Sequence, residues 1–375
     1  RSSLAGRPVR SIAESLGALS LLWLAKGYRF RKRAVRRLAE ESGFSREMAE
    51  AAVDSIFKEL TFSKIWNLLK AELVDPYVLD GFRRNVLTGL LHHAQGPNLI
   101  THVLPGNVPQ PAVFSLVFGM LIKSANAVKV SSEDRGVLDI YLDSLKAHDA
   151  GLARVNFLIP RQAKDCLRDF FALSDLVVAY GHDETLEELR RQIPAKTAFA
   201  GYGHRVSFGL YLRGCLTKRN GVLLAEKTAW DVWMVDQRGC LSPSVVYVEE
   251  GGETTPLDFA RLLKERLRRR RAGLWAVFYD ESLKDFPLSP SGRVVRVKAF
   301  RGVERLCGAL APFRGYLQAV ALEAPPACRE AAALQLARLG VNRICRAGRM
   351  QSPPLTWHHD GIPNLASWVR WTDLA

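Results

Sequence analysis

From Asn98 onward the chain alternates two hydrophobic periods, and this constrains its fold more than any other feature. Short apolar runs, "NLITHVLPG", "NAVKVSS", "RVNFLIP", "DLVVAYG" and "KTAFAGYG", read as strands. Between them "QPAVFSLVFGMLIKS", "RGVLDIYLDSLKAHD", "AKDCLRDFFAL" and "DETLEELRRQI" carry helical spacing. Apolar strands alternating with amphipathic helices imply a parallel, doubly wound α/β sheet. Ligands of such sheets bind beyond the carboxyl ends of the strands. The turns "PGN" and "AYGHDE" fall at such ends.

The strand "RVSFGLYLR" and the helix "GVLLAEKTAWDVWM" close this first pattern. Beyond the Cys240 loop a second α/β pattern opens with the strand "SVVYVEE" and the helix "LDFARLLKERLRRRRAG". The strands "LWAVFYD", "GRVVRVKAF" and "GYLQAVALE", the helix "ACREAAALQLARLG" and the strand "VNRIC" complete it. The residues before Asn98 read as helices: "KRAVRRLAEESG" stops at Gly43, and Ser45 is placed to cap "SREMAEAAVDSIFKEL". The expected division is a helical packing or oligomerising layer (1–95), two α/β domains (96–235 and 236–348) and a tail that packs back on the core (349–375). A chain of 375 residues, 48% hydrophobic, can bury cores of that size.

The formal net charge is +15, concentrated in "KGYRFRKRAVRR" and "KERLRRRR". Solvated helix faces are the ordinary reading, and attraction of polyanions the functional one. No zinc-finger, RRM or KH pattern accompanies the charge, which argues against sequence-specific nucleic-acid binding. The longest apolar run near the start, "LGALSLLWLA", is about half of what a bilayer span needs, and it leads into basic residues without a cleavage site. A soluble, cytoplasmic protein without a membrane span is the expectation. The six cysteines lie too far apart for a CxxC pattern, which fits a reduced chain. Cys166 and Cys345 read as small core residues.

Cys240, in "DQRGCLSP", is different. It lies between a helix and a strand among polar and small residues, with Gly239 to let the backbone pass, Pro243 to end the turn and Arg238 to favour a thiolate. Most loop cysteines are structural, so the turn alone does not decide. A thiol that attacks an acyl group also needs donors for the developing oxyanion. Asn107 in "LPGNVPQP" offers one, although a plain strand-to-helix turn explains the same residues. "YGHDE" opens a helix whose amides could meet a phosphate or cofactor. His204 in "GYGHRVSFG" is a proton-donor candidate or an ordinary turn histidine. The neighbouring histidines of "WHHDG" point apart on a helix or strand, which argues against metal.

Taken together, "HVLPGNVP", "LIKSANAVKVSS", "VVAYGHDE", "GYGHRVSFG", "DQRGCLSPSVVYVEEGG" and "GRMQSPPLTWHHDG" resemble the acyl-CoA reductase family typified by the fatty-acid reductase of bacterial bioluminescence. The helical opening "LAEESGFSREMAEAAVDSIFKELT" is similar to that family's N-terminal layer. The family belongs to the aldehyde dehydrogenase superfamily. The resemblance implies an aldehyde-dehydrogenase-like fold of two Rossmann-like domains, cofactor-binding (96–235) and catalytic (236–348), with the active site in the cleft between them. It implies Cys240 as nucleophile and Asn107 as oxyanion donor. Lys129 and Ser131 are implied at the adenosine ribose, and Gly181, Asp183 and Glu184 in the turn that approaches the cofactor.

Ordinary aldehyde dehydrogenases carry a glutamate before a Gly-Gly-Lys turn, where it activates water. The comparable "AGYGHRVS" has no acid, which suits transfer between thiols over hydrolysis. The function implied is NADPH-dependent reduction of an acyl-CoA or acyl-protein thioester to the aldehyde, with NADH a possible substitute, His204 as proton donor and no metal. Implied partners are acyl-CoA, or an acyl-carrier or acyl-transferase protein, and further copies of the chain. Two alternatives stand beside it: an NAD-dependent acylating aldehyde dehydrogenase that makes acyl-CoA, and a non-catalytic basic scaffold or nucleic-acid-binding protein.

Overall fold

The computed structural model describes residues 4–106, 108–131, 137–160, 166–270, 273–283, 286 and 292–375. The chain forms two compact units. One comprises residues 1–203 together with 354–375, and the other residues 204–353.

In the first unit, helices Val9–Leu24, Arg29–Glu41, Arg46–Glu59 and Phe62–Leu73 pack as a layer. Ser45 caps the third as expected, its hydroxyl accepting the Met48 N–H at 3.1 Å. Trp23 stacks on Phe57 with ring centroids 4.3 Å apart, and its indole N–H donates to Ser144 of the helix Leu138–His148 at 2.9 Å. Helix Gln110–Leu121 is apolar on almost all sides. It lies between the N-terminal helices and the sheet, so no face is left for water.

The sheet of this unit is parallel throughout, in the order Asn156–Leu158, Ala125–Val130, Leu99–Leu104, Leu176–Tyr180, Ala198–Tyr202. The chain starts in the middle, builds outward to one side, then returns to build the other. The crevice between Leu99–Leu104 and Leu176–Tyr180 is therefore the topological switch point at which doubly wound sheets take ligands.

The helical layer ends earlier than the sequence reading has it. Residues Arg83–Arg84 and Leu91–Gln95 are strands, and Arg370–Leu374 pairs antiparallel with Leu91–Gln95 to make a three-stranded sheet. Residues 370–374 of the tail form an exposed strand at the edge of that sheet. "LHHAQ" has neither alternation nor β-branched residues, so only its pairing partner reveals it.

The second unit carries a six-stranded parallel sheet in the order Ala276–Asp280, Val294–Phe300, Pro243–Glu249, Val206–Tyr211, Leu317–Glu323, Arg343–Cys345. Strand Val206–Tyr211 and helix Lys218–Trp233, which the sequence reading grouped with residues 96–235, belong here. The reason is pairing. Val206–Tyr211 is an interior strand bonded on both sides within this sheet.

Much of the basic charge is engaged in ion pairs. Arg31 meets Asp54 at 2.6 Å, Arg33 meets Asp143 at 2.8 Å and Arg37 meets Asp139 at 2.5 Å. Arg270 pairs with Glu226 at 2.6 Å while lying over the rings of Trp230 and Trp233. Among the described residues no helix is long and apolar enough to cross a membrane.

Candidate active site

Cys240 is reached through an unusual piece of backbone. Where helix Lys218–Trp233 ends, Val235, Asp236 and Gln237 follow one another in left-handed conformation, with φ of 49°, 56° and 59°. Residues with a Cβ rarely adopt it, and β-branched Val235 is the least suited of the three. Side chains hold the distortion. The Asp236 carboxylate accepts from Arg293 Nε at 2.8 Å and from Arg238 at 3.2 Å. Gln237 Nε2 donates to the Val294 carbonyl at 2.8 Å and its Oε1 accepts the Val294 N–H at 3.0 Å, so the side-chain amide imitates a strand partner.

A four-residue turn follows. The Ser242 N–H donates to the Gly239 carbonyl at 2.9 Å, which leaves Cys240 at the second position with its residue exposed. Gly239 itself has no left-handed φ, and a Cβ there would meet Val235 Cγ2 at 3.4 Å, an ordinary contact. Gly239 was expected to let the backbone pass close to a substrate; the unusual backbone conformation itself falls on residues 235–237. Arg238, expected to favour the thiolate, is paired with Asp236.

Two further groups brace the turn. Ser207, on strand Val206–Tyr211, donates to the Cys240 carbonyl at 2.6 Å. Gln351 Nε2 donates to Ser242 Oγ at 2.9 Å and to the Asp231 carbonyl at 2.8 Å. The Asp231 carboxylate in turn accepts the N–H groups of Gly348 and Met350 at 2.6 and 3.0 Å. Burial pushes the Asp231 carboxyl up to about 7, against the pull of those two N–H donors. "GRMQS" is therefore the clamp that ties the end of helix Lys218–Trp233 to the cysteine turn. Sequence reasoning assigned no role to Ser207, Gln237 or Gln351. The signal available was a serine and two glutamines inside otherwise apolar or family-like stretches.

None of the six cysteines is in a disulfide. Burial raises the thiols of Cys215, Cys307 and Cys345, the last to about 11, and a raised thiol is a poor source of thiolate. Cys166 is exposed ahead of helix Leu167–Leu173, which corrects its reading as a core residue: the short helix buries Phe171 and leaves its N-cap position outward.

The remaining predicted residues divide between the units. His204, half-buried, opens the second unit between strands Ala198–Tyr202 and Val206–Tyr211. Asn107 lies outside the described residues. Lys129 and Ser131 sit at the carboxyl end of strand Ala125–Val130, where Lys129 Nζ donates to the Val130 carbonyl at 2.7 Å. Gly181 follows strand Leu176–Tyr180, and Asp183 and Glu184 are exposed in the first turn of helix Asp183–Gln192. All five occupy the carboxyl edge of one sheet, near its switch point. Chemically the set combines an ammonium, a hydroxyl and two carboxylates. It fits the hydroxyls of a dinucleotide's ribose better than a phosphate on the helix end, because the two acids already balance the positive helix terminus. At the same edge His359 stacks on Tyr202, ring centroids 4.6 Å apart and 10° from parallel, and Tyr202 on Tyr180 at 4.6 Å. "WHHDG" thus supplies a flat ring to this edge. Among the described residues no group of three His, Cys, Asp or Glu is arranged to hold a metal ion.

Comparison with known proteins decides the family. The family model described as acyl-CoA reductase (LuxC) matches residues 5–274 and 271–371. The chain belongs to the acyl-CoA reductase (LuxC) family. The resemblance drawn from the cysteine, asparagine and cofactor motifs therefore holds. A long-chain acyl-protein thioester reductase of Photorhabdus luminescens is 23% identical over 247 residues, covering 64% of this chain and 50% of that protein. The chain spans about half the length of the curated relatives it matches. Among solved structures, an NAD-dependent benzaldehyde dehydrogenase from Corynebacterium glutamicum aligns with a TM-score of 0.73 at 12% identity, over 99% of this chain and 86% of that one. An acetylating aldehyde dehydrogenase from Geobacillus thermoglucosidasius aligns with a TM-score of 0.70 at 11% identity, over 98% and 91%. This LuxC-family chain has the aldehyde dehydrogenase fold.

Proposed function

We propose that the protein reduces an acyl thioester, acyl-CoA or an acyl group carried by a partner protein, to the aldehyde through an acyl group held on Cys240. The observation that carries this reading is the exposed Cys240 on a turn braced by Ser207 and Gln351, in a chain of this family. The Cys240 thiolate attacks the carbonyl carbon, and the tetrahedral oxyanion is met by the Cys240 N–H and the Asn107 side-chain amide. Each such donor is worth about 3 kcal/mol in the transition state. The carbon–sulfur bond to the carrier breaks, and His204 hands a proton to the departing thiolate. A reduced nicotinamide dinucleotide, when bound, would supply a hydride to the acyl carbon held on Cys240, leaving a tetrahedral alkoxide. Expulsion of the Cys240 thiolate then releases the aldehyde.

The cofactor is held on this reading by Lys129 and Ser131 at the ribose and by the Gly181 turn with Asp183 and Glu184. The proposal takes NADPH as the reduced cofactor, with NADH as the comparison. The absence of an acid in "AGYGHRVS" supports reduction over hydrolysis. Dependence on a free thiol belongs with a reducing, cytoplasmic setting, and self-association belongs to the same proposal.

The test is incubation with acyl-CoAs of graded chain length and either NADPH or NADH, following cofactor oxidation, thiol release and aldehyde. The expected result is stoichiometric formation of all three, reduced roughly a thousandfold or more in Cys240→Ala. Turnover that survives Cys240→Ala overturns the proposal. Faster formation of acyl-CoA from aldehyde than its reverse would make the protein an acylating dehydrogenase instead.

A further inference from the structure

We infer that Ser207 is a positioning residue for the nucleophile, acting through the carbonyl of Cys240; the inference rests on the reading of Cys240 given above. Ser207 is fully buried, on an interior strand. It stands where the sheet loses register on both sides. Pairing with Pro243–Glu249 shifts between Ser207 and Phe208, and pairing with Leu317–Glu323 shifts between Leu317 and Val320. Such a double irregularity leaves ladder groups without their regular partners. The Ser207 hydroxyl takes them up. It accepts the Ala319 N–H at 3.2 Å and donates to the Cys240 carbonyl at 2.6 Å.

The direction of both bonds is determined, because a backbone N–H can only donate and a carbonyl can only accept. One hydroxyl therefore links an interior strand of the sheet to the peptide that follows the nucleophile. The peptide that precedes it is held as well, since the Gly239 carbonyl accepts the Ser242 N–H. With both planes pinned, the Cα–Cβ bond of Cys240 has one direction, and redirecting the thiol by peptide rotation breaks a hydrogen bond. Gln351 repeats the restraint one step along, through Ser242 Oγ. Rigid aim of this kind raises the rate of the bond-forming step without adding affinity for substrate.

The test compares Ser207→Ala, Ser207→Thr and Ser207→Cys in the full chain, with thermal melting recorded in parallel and assays run well below each melting temperature. Ser207→Ala is expected to lower kcat at least tenfold with KM for the acyl-CoA and the reduced cofactor within twofold. Ser207→Thr, which keeps the hydroxyl, is expected to recover most of that loss. If the alanine variant does not fold, the near-isosteric Ser207→Cys, a weak donor, is expected to show the same kcat-only loss. Unchanged kcat in a folded Ser207→Ala protein, or a loss that Thr does not recover although the protein melts normally, overturns the inference. Turnover retained in Cys240→Ala would instead overturn the nucleophile reading beneath it.

Discussion

His102 shows how a single buried polar residue makes demands on its neighbours. Its Nε2–H donates to Asn126 Oδ1 at 2.9 Å, and Nδ1 accepts from Ser115 Oγ at 2.7 Å. The Asn126 amide fills the space beside helix Gln110–Leu121 so closely that a Cβ on Gly119 would lie 2.0 Å from its oxygen. Burial lowers the imidazole from its ordinary 6.5 to about 4. The unfolded chain therefore binds the proton first as pH falls. The stability this residue contributes is complete above about 6.5 and is lost progressively toward 4, by up to about 3 kcal/mol. Melting temperatures of the parent and of His102→Gln across pH 7 to 4.5 check this: the parent is expected to lose stability more steeply. Parallel curves would assign the acid sensitivity to other groups.

Among the elements, the contact of helices Val9–Leu24 and Phe62–Leu73 is decided by one glycine. A Cβ at Gly17 would lie 2.6 Å from the Phe62 backbone nitrogen and 2.8 Å from its Cα. Backbone cannot rotate out of the way, so the helices must part. Gly17→Ala gains about 1 kcal/mol of helix propensity and loses more than that to overlap. A net destabilisation of about 1–2 kcal/mol is expected, read as a lower melting temperature with unchanged helix content by circular dichroism. The register of the Cys240 strand is set at the same scale. Pro243 begins Pro243–Glu249, where a missing N–H costs the ladder least, and Gln237 replaces the bonds that the distorted turn cannot make.

Over the whole molecule, the N-terminal helices do more than pack. The Glu72 carboxylate accepts the N–H groups of Asn364, Leu365 and Ala366 at 2.8, 2.5 and 3.0 Å, and Glu59 accepts the Leu355 N–H at 3.2 Å. Glu59 thus holds the chain just before His359, on the carboxyl edge of the first sheet, and Glu72 holds it between His359 and the closing strand Arg370–Leu374. Charged acceptors of this kind are each worth about 1.5–3 kcal/mol. Glu72→Ala is expected to speed amide exchange at residues 364–366 at least tenfold while strand Leu99–Leu104 keeps its protection. Equal acceleration in both would mean the variant loosens the unit as a whole.

Most local elements and their class are legible in the residue pattern. Period and capping placed Ser45 at its helix start, alternating strands and helices declared parallel sheets, and the stretch around Cys240 carried the family. These are properties of residues near one another in the chain, governed by dihedral preference and by which face must be buried. The remaining features depend on partners far apart in sequence. The strand "LHHAQ" exists because residues 370–374 lie beside it, and Val206–Tyr211 joins the second sheet because its neighbours on both sides are there. Left-handed Val235 is tolerated because Arg293 and Val294 hold the two residues that follow it. Ser207 reaches the Cys240 carbonyl across 33 residues, and Gln351 reaches Ser242 across 109. A hydrogen bond depends on distance and direction in space, and neither is written in sequence spacing.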